Sequence, residues 1–273
     1  MPELRRDAAL LEVKQVLLKL RDADGVARRR QEHPVVDADR SQTMRSLYVI
    51  PIIHMGADMG SMASTLDEGA AAGLPPGLWQ RHKDVVSAFW DSISRFLDGL
   101  DVCGFKVYQD GLVAGDAAGL RIVREGIGQG SKNFEIIGRL LEQGAVLVKT
   151  ESLPLVKQEY GYITRMARAS SVKEKEVAAL RYKLACSQLL KQRDEIIASR
   201  VNETLAEGET GILFIGAYHD VCRRLAPDIR VSQVKEVTRV RQYHQSLTGH
   251  QEQLRELGEY LVSPVRSVND THL

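Results

Sequence analysis

The feature that most constrains the fold is an apolar run at residues 211–217 that is followed by a histidine. Residues 212–215 are Ile, Leu, Phe and Ile, with no alternation of apolar and polar side chains. This pattern predicts a strand buried on both faces, as in a sheet covered by helices on two sides. Gly216 allows a sharp turn at the end of the strand, and His219 follows three residues later. Because open α/β sheets bind ligands at the carboxyl edge, His219 is the first functional candidate.

Other short apolar segments predict four more strands, at residues 46–54, 104–110, 145–149 and 228–232. Between them, apolar residues recur at helical spacing in the segments 78–100, 116–125, 133–141, 172–206 and about 243–262. A further helix begins near Ser152, with Pro154 in its first turn. This alternation predicts an α/β fold: a layered, mostly parallel sheet covered by helices, with a long helix before the Gly-x-x-His strand.

An extra N-terminal helix is predicted at residues 3–31, where Leu10, Val13, Leu17 and Leu20 form an apolar stripe. We therefore expect an N-terminal helical extension at 1–42, a single α/β domain at 43–263 and a tail at 264–273. The helix at 172–206 would be about 50 Å long, whereas a domain of this size is about 45 Å across. It therefore spans the body, bends, or projects to meet a partner.

Charge and cysteine content exclude several classes of function. The chain has 273 residues, with 37 Lys and Arg against 36 Asp and Glu, so its net charge of +1 does not favour nucleic acid or an anionic membrane as partner. Its three cysteines have no metal-binding spacing, and their odd number argues against a disulfide framework. No apolar run is long enough to span a membrane. These features predict a cytoplasmic protein.

Four polar residues follow predicted strands: His54, Asp110, Glu151 and His219. The carboxyl ends of parallel strands meet at one edge, so these side chains are expected to converge. His54, His219 and Glu151 would suit a divalent metal ion that keeps a position open for water. Without metal, the same set could carry out general acid–base chemistry. The sequence leaves both versions open, and it does not identify the metal.

Each of these residues also has a purely structural interpretation. His219 could cap a helix that starts near Asp220. Asp110 precedes Gly111, and Asp-Gly is a common turn pair, which the sequence slightly favours. Glu151 could simply interact with the positive end of the helix beginning near Ser152. The glycine-rich segment 126–130 is best explained as a helix stop with Ser131 opening the next helix, and an anion contact from Lys132 is the minor alternative.

A family resemblance adds to this picture. Arg193-Asp-Glu-Ile-Ile-Ala198 leads into the strand that ends in Gly216-Ala-Tyr-His219. This arrangement resembles the TraB/ChaN-like superfamily, which includes Tiki proteases and erythromycin esterases. Members usually have an earlier Gly-x-x-His strand, and residues 48–54 look like its counterpart, with Pro51 where the glycine would be. The match covers residues 193–219 well and the rest only in layout.

The resemblance implies one of three kinds of protein: a metal-dependent hydrolase, a metal-independent esterase or a non-enzymatic ligand binder. The leading expectation is a hydrolase for a small-molecule or peptide substrate, with His219, Glu151, Asp110 and Arg193 as catalytic residues. In its metal-free version His219 is the general base and Glu151 orients it. Arg193 would clamp a carboxylate or phosphate, although a surface salt bridge is the commoner role.

The competing expectation is a non-enzymatic module. In that case the helices at 3–31 and 172–206 form a homo-oligomer or dock a partner, or Lys132 and Arg193 hold an anionic ligand. The segment 55–76, rich in Gly, Ala, Met and Ser, is a candidate lid.

Overall fold

The computed structural model describes residues 44–53, 77–247 and 251–265. The predicted N-terminal helix, His54 and the candidate lid at 55–76 lie outside the described residues, as does most of the predicted tail. The proposed domain boundaries therefore stay predictions.

The described residues form five strands and seven α-helices. The strands are β1 (Arg45–Ile52), β2 (Lys106–Gln109), β3 (Val146–Val148), β4 (Thr210–Gly216) and β5 (Ile229–Gln233). The helices are α1 (Leu78–Asp98), α2 (Asp116–Gly128), α3 (Lys132–Glu142), α4 (Leu153–Arg168), α5 (Val172–Thr204), α6 (Val237–Ser246) and α7 (Gln251–Val262). None of these helices combines the length and apolar character needed to cross a membrane.

All five strands run parallel, in the order β3-β2-β4-β1-β5. Within the register, Ile52 lies opposite Gly216 and Gln109 lies opposite Phe214. The ends of β1, β2 and β4 therefore meet at one edge of the sheet. The predicted α/β layered fold is confirmed.

Side chains of β4 pack on both faces of the sheet, as the unbroken apolar run predicts. Ile212 and Phe214 belong to a core that includes residues of α1, α3, α6 and α7. Leu213 and Ile215 belong to a second core, formed mainly with α5 through its buried residues Ile197, Ala198 and Val201.

The long helix α5 projects beyond the sheet. Its carboxyl end, Thr204, leads through a short connection into the amino end of β4, so α5 runs antiparallel to the strands. Arg193 lies about 16 Å back along the helix, near the carboxyl edge, and residues 172–192 continue for about 30 Å beyond it. There α5 pairs with α4 as a hairpin, with the Tyr182 hydroxyl donating to Glu159 Oε1 at 3.0 Å.

Two local predictions have opposite outcomes. The helix stop near residues 126–130 is confirmed, because α2 ends at Gly128, Gly130 has a φ of 81°, and the Ser131 hydroxyl accepts from the amide of Phe134. The single helix predicted at 243–262 is wrong, because α6 already begins at Val237 and ends at Ser246. The residues of α6 before Tyr243 are mostly polar, so only Val237 and Val240 indicate in the sequence that the helix has already begun.

Close packing of α2 on α3 gives a first testable prediction. A Cβ atom at Gly126 would overlap the ring of Phe134, whereas a Cβ atom at Gly128 would meet nothing within 4 Å. Gly126→Ala is therefore expected to lower the free energy of unfolding by about 1–3 kcal/mol. Gly128→Ala is expected to leave it unchanged or raise it by about 0.5 kcal/mol. Urea unfolding of the two variants measures the difference, and equal stabilities would contradict the packing.

Candidate functional site

Six charged side chains converge at the carboxyl edge of the sheet. Strand ends supply Asp110 after β2, Glu151 after β3 and His219 after β4, while α5 supplies Arg193 and Asp194 and α4 supplies Glu159. Hydrogen bonds and ion pairs join them into one network. We call this set the His219 cluster: Asp110, Glu151, Glu159, Arg193, Asp194 and His219.

Asp110 serves both in a turn and in the cluster. Gly111 has a φ of 82°, and the amide of Leu112 donates to the Gln109 carbonyl at 3.0 Å, which confirms the turn interpretation of Asp-Gly. The Asp110 Oδ2 atom also accepts from the amide of Gly216 at 3.1 Å. A Cβ atom at Gly216 would lie 3.0 Å from that oxygen, so a larger residue would push the carboxylate away.

His219 lies between two carboxylates. Its Nδ1 atom is 2.6 Å from Asp194 Oδ1, and its Nε2 atom is 3.3 Å from Asp110 Oδ2. Burial alone would lower the pKa of the imidazole, but the charge of Asp110 and the hydrogen bonds to Asp110 and Asp194 outweigh burial and raise this pKa to about 9. At neutral pH the ring is therefore an imidazolium that donates a hydrogen bond from each nitrogen.

Arg193 connects three carboxylates. Its Nε atom donates to Glu151 Oε1 at 3.0 Å, and its Nη2 atom contacts that same oxygen and Asp110 Oδ1, the latter at 2.5 Å. Its Nη1 atom contacts Glu159. Burial lowers the pKa of the guanidinium, but the charges of Asp110, Glu151 and Glu159 outweigh burial, so this pKa is raised overall. Arg193 is thus a buried, permanently charged centre of the network.

Glu151 is the most deeply buried carboxyl of the cluster, with 1 % of its surface exposed. Its Oε1 atom accepts from Arg193, whereas its Oε2 atom has no hydrogen-bond partner among the described residues. Burial and the charge of Asp110 raise the pKa of Glu151, and together they outweigh the lowering by Arg193 and His219. A protonated Glu151 would reduce the excess of negative charge, because the cluster has four carboxyl groups against one guanidinium and one imidazolium.

A cation outside the cluster holds the turn that carries His219. The guanidinium of Arg241, on α6, donates from Nε to the Ala217 carbonyl and from Nη2 to the His219 carbonyl at 3.3 Å. The His219 amide donates to the Gly216 carbonyl at 3.1 Å. These contacts fix the backbone after β4. The helix-cap interpretation of His219 does not apply, because both ring nitrogens face carboxylates.

The cluster does not present an assembled metal site. Within residues 44–53, 77–247 and 251–265, no group of three or more His, Cys, Asp or Glu side chains is arranged to hold a metal ion. Both nitrogens of His219 are engaged by carboxylates, and Arg193 takes one of the two Glu151 oxygens. His54 lies outside the described residues, so its approach to His219 stays a prediction.

The structure brings together Asp110, Glu151, Arg193 and His219, and it adds two residues that the sequence interpretation left out. Asp194 rather than Glu151 is bonded to His219 Nδ1, and Glu159 completes the surroundings of Arg193. The sequence contains an indication that Asp194 is buried, because Asp194 shares its helix face with the buried residues Ile197 and Val201. A carboxylate in line with buried apolar positions needs a partner. The sequence contains no comparable indication for Glu159 or Arg241.

Fold and site define a class of protein: a parallel α/β domain with a buried His-carboxylate-Arg cluster at the carboxyl edge of its sheet. Comparison with protein-family models, with curated proteins and with solved structures finds no match to this chain. Membership of the TraB/ChaN-like superfamily is therefore neither supported nor refuted, and the resemblance rests on the motifs of residues 193–219.

Proposed function

We propose that the His219 cluster is the acid–base centre of a hydrolase that needs no metal ion. The observation that carries this proposal is the position of His219 between Asp194 and Asp110 at the carboxyl edge, where ligands bind in such sheets. The resemblance of residues 193–219 to a superfamily that includes proteases and esterases supports the same class.

In this proposal the two nitrogens of His219 have different roles, which their hydrogen bonds support. Asp194 holds Nδ1 at 2.6 Å, so Nε2 is the atom that exchanges a proton with substrate. Its contact with Asp110, at 3.3 Å, is the longer of the two. The proposal requires that a substrate atom replaces this contact. Because the pKa of His219 is about 9, the ring acts at neutral pH as a general acid rather than as the general base expected from the sequence.

In the reaction that we propose, each group acts from the position that it holds in the cluster. A water oxygen attacks the carbonyl carbon of the substrate and passes its proton to Asp110. The bond between that carbon and the leaving group breaks, and the leaving group takes the Nε2 proton of His219. Asp110 then returns its proton to Nε2, which lies 3.3 Å from Oδ2, and both groups regain their starting charge. Glu151 contacts Arg193, and Arg193 in turn holds Asp110. Glu151 and Arg193 are therefore positioning residues in this scheme.

The charge of the cluster narrows the substrate class. Even with Glu151 protonated, three carboxylates face two cations, and their excess of negative charge repels an approaching phosphate or carboxylate group. We therefore expect neutral or cationic esters and amides to be hydrolysed and phosphomonoesters to be left intact.

A panel of neutral esters, peptides and phosphomonoesters, assayed in the presence of EDTA, tests the proposal. Asp194→Asn is expected to lower kcat by about 100-fold, because the imidazolium loses its charged partner. The matched control is Asp220→Asn, whose side chain is half exposed and pairs with surface arginines, and it should leave kcat unchanged. The rate should fall as pH rises through about 9 in the wild type, and at lower pH in Asp194→Asn.

Three results would contradict the proposal. One is an absence of turnover for every substrate class, and another is equal kcat for Asp194→Asn and the wild type. The third is activity that EDTA abolishes and a divalent ion restores, which would favour the metal-dependent version instead.

A further inference from the structure

The projecting part of α5 carries a row of large apolar side chains in solvent. Val177, Leu180 and Leu184 are 43 %, 57 % and 76 % exposed. Their spacing of three and four residues places them on one face of the helix, with Lys173 one turn before. Tyr182 is buried and bonded to α4 from the opposite face. We call the exposed row, Lys173, Val177, Leu180 and Leu184, the α5 seam.

We propose that the α5 seam pairs antiparallel with the α5 seam of a second copy of this chain. Spacings of three and four residues are those of a two-stranded coiled coil, in which side chains of one helix fit between those of the other. In the register that we propose, Val177 lies beside the partner's Leu180. The aliphatic stem of Lys173 then covers the partner's Leu184.

Charges beside the seam select the second copy and this register. Glu174 and Glu176 flank one end of the seam, and Arg181 and Lys183 flank the other. The antiparallel pairing sets Glu176 beside the partner's Lys183 and Glu174 beside the partner's Arg181, so opposite charges meet on both sides. A register that matched Leu180 with Leu184 would instead place Arg181 against Arg181 and Lys183 against Lys183.

The bodies of the two copies leave room for this pairing. The midpoint of the register lies between Val177 and Leu180, about 22 Å along the helix from Arg193. The carboxyl edges of the two sheets would therefore lie more than 40 Å apart at opposite ends of the paired hairpins. The α4 helix packs on the face of α5 away from the seam and does not obstruct it. Because each copy contributes only about three helical turns, the dimer should be weak, with Kd on the order of micromolar.

Sedimentation equilibrium of the full chain over a range of concentrations tests the proposal. The wild type should dimerise, and Leu180→Glu should abolish the dimer. The matched control is Leu153→Glu, at a position of α4 outside the seam that is 43 % exposed, as Val177 is, and it should leave Kd unchanged. Glu176→Lys and Lys183→Glu should each raise Kd about tenfold or more, and the double variant Glu176→Lys/Lys183→Glu should restore it.

A wild type that stays monomeric at the highest soluble concentration would overturn the proposal, and so would a dimer unaffected by Leu180→Glu. A double variant weaker than either single variant would overturn the register. Circular dichroism shows whether each variant retains the wild-type fold. None of these outcomes depends on hydrolase activity, so the dimer and the proposed function are tested separately.

Discussion

Replacing Arg193 with Met is expected to lower the free energy of unfolding by about 3–5 kcal/mol, because the change leaves one buried and two partly buried carboxyl groups without their cation. The guanidinium contacts Asp110, Glu151 and Glu159, and 6 % of the Arg193 residue is exposed. Arg193→Lys should recover only part of the loss, because an ammonium group cannot reproduce the planar fork that reaches all three acids. Urea unfolding at neutral pH measures both variants.

A matched control is available on the same helix. Arg200 is 42 % exposed in its side chain and pairs only with Glu203 among the salt bridges of the described residues. Arg200→Met should therefore cost less than about 1 kcal/mol. Similar losses for Arg193→Met and Arg200→Met would show that the three carboxylates do not depend on Arg193.

How far the sequence predicts this fold is clearest at β4. Residues 212–215 are apolar without interruption because both faces of β4 are covered, by α5 on one side and by helices that include α1 on the other. The same physical cause gives the pattern and the burial, so the strand and the α/β class are predictable. The start of α6 is not predictable from the sequence, because the buried side chains of Val240 and Tyr243, rather than a continuous apolar stripe, hold that helix in place.

For the site, the sequence predicts which residues lie at the strand ends but not their partners. Asp110, Glu151 and His219 all follow strands, and parallel strands bring them to one edge whatever their order. Contacts from helices depend on how each helix is rotated, which a single sequence does not specify. Asp194 and Glu159 come from helices, and so the partner of His219 Nδ1 could not be identified before the structure.

The protonation of His219 predicts a loss of stability as pH rises. Its pKa is raised from 6.5 to about 9 in the folded chain, so its contribution is fully present below pH 6.5 and is lost as pH rises through about 9. The whole contribution is about 3 kcal/mol, of which about 1.5 kcal/mol should disappear between pH 6.5 and 8. Lys235 acts in the opposite direction as pH rises through about 8, because burial lowers the pKa of its ammonium from 10.5 to about 8. The contribution of His219 is therefore measured as the difference between the wild type and a variant without the imidazole, since Lys235 is present in both.

Urea unfolding at several pH values in that interval, for the wild type and His219→Gln, measures this contribution. The wild type should lose stability with rising pH, and His219→Gln should lose about 1.5 kcal/mol less over the same interval. If the free energy of unfolding changes equally with pH in the wild type and in His219→Gln, the imidazole is already neutral at pH 7. The general-acid role of Nε2 would then fail with it, because the same proton stabilises the fold and is transferred to the leaving group.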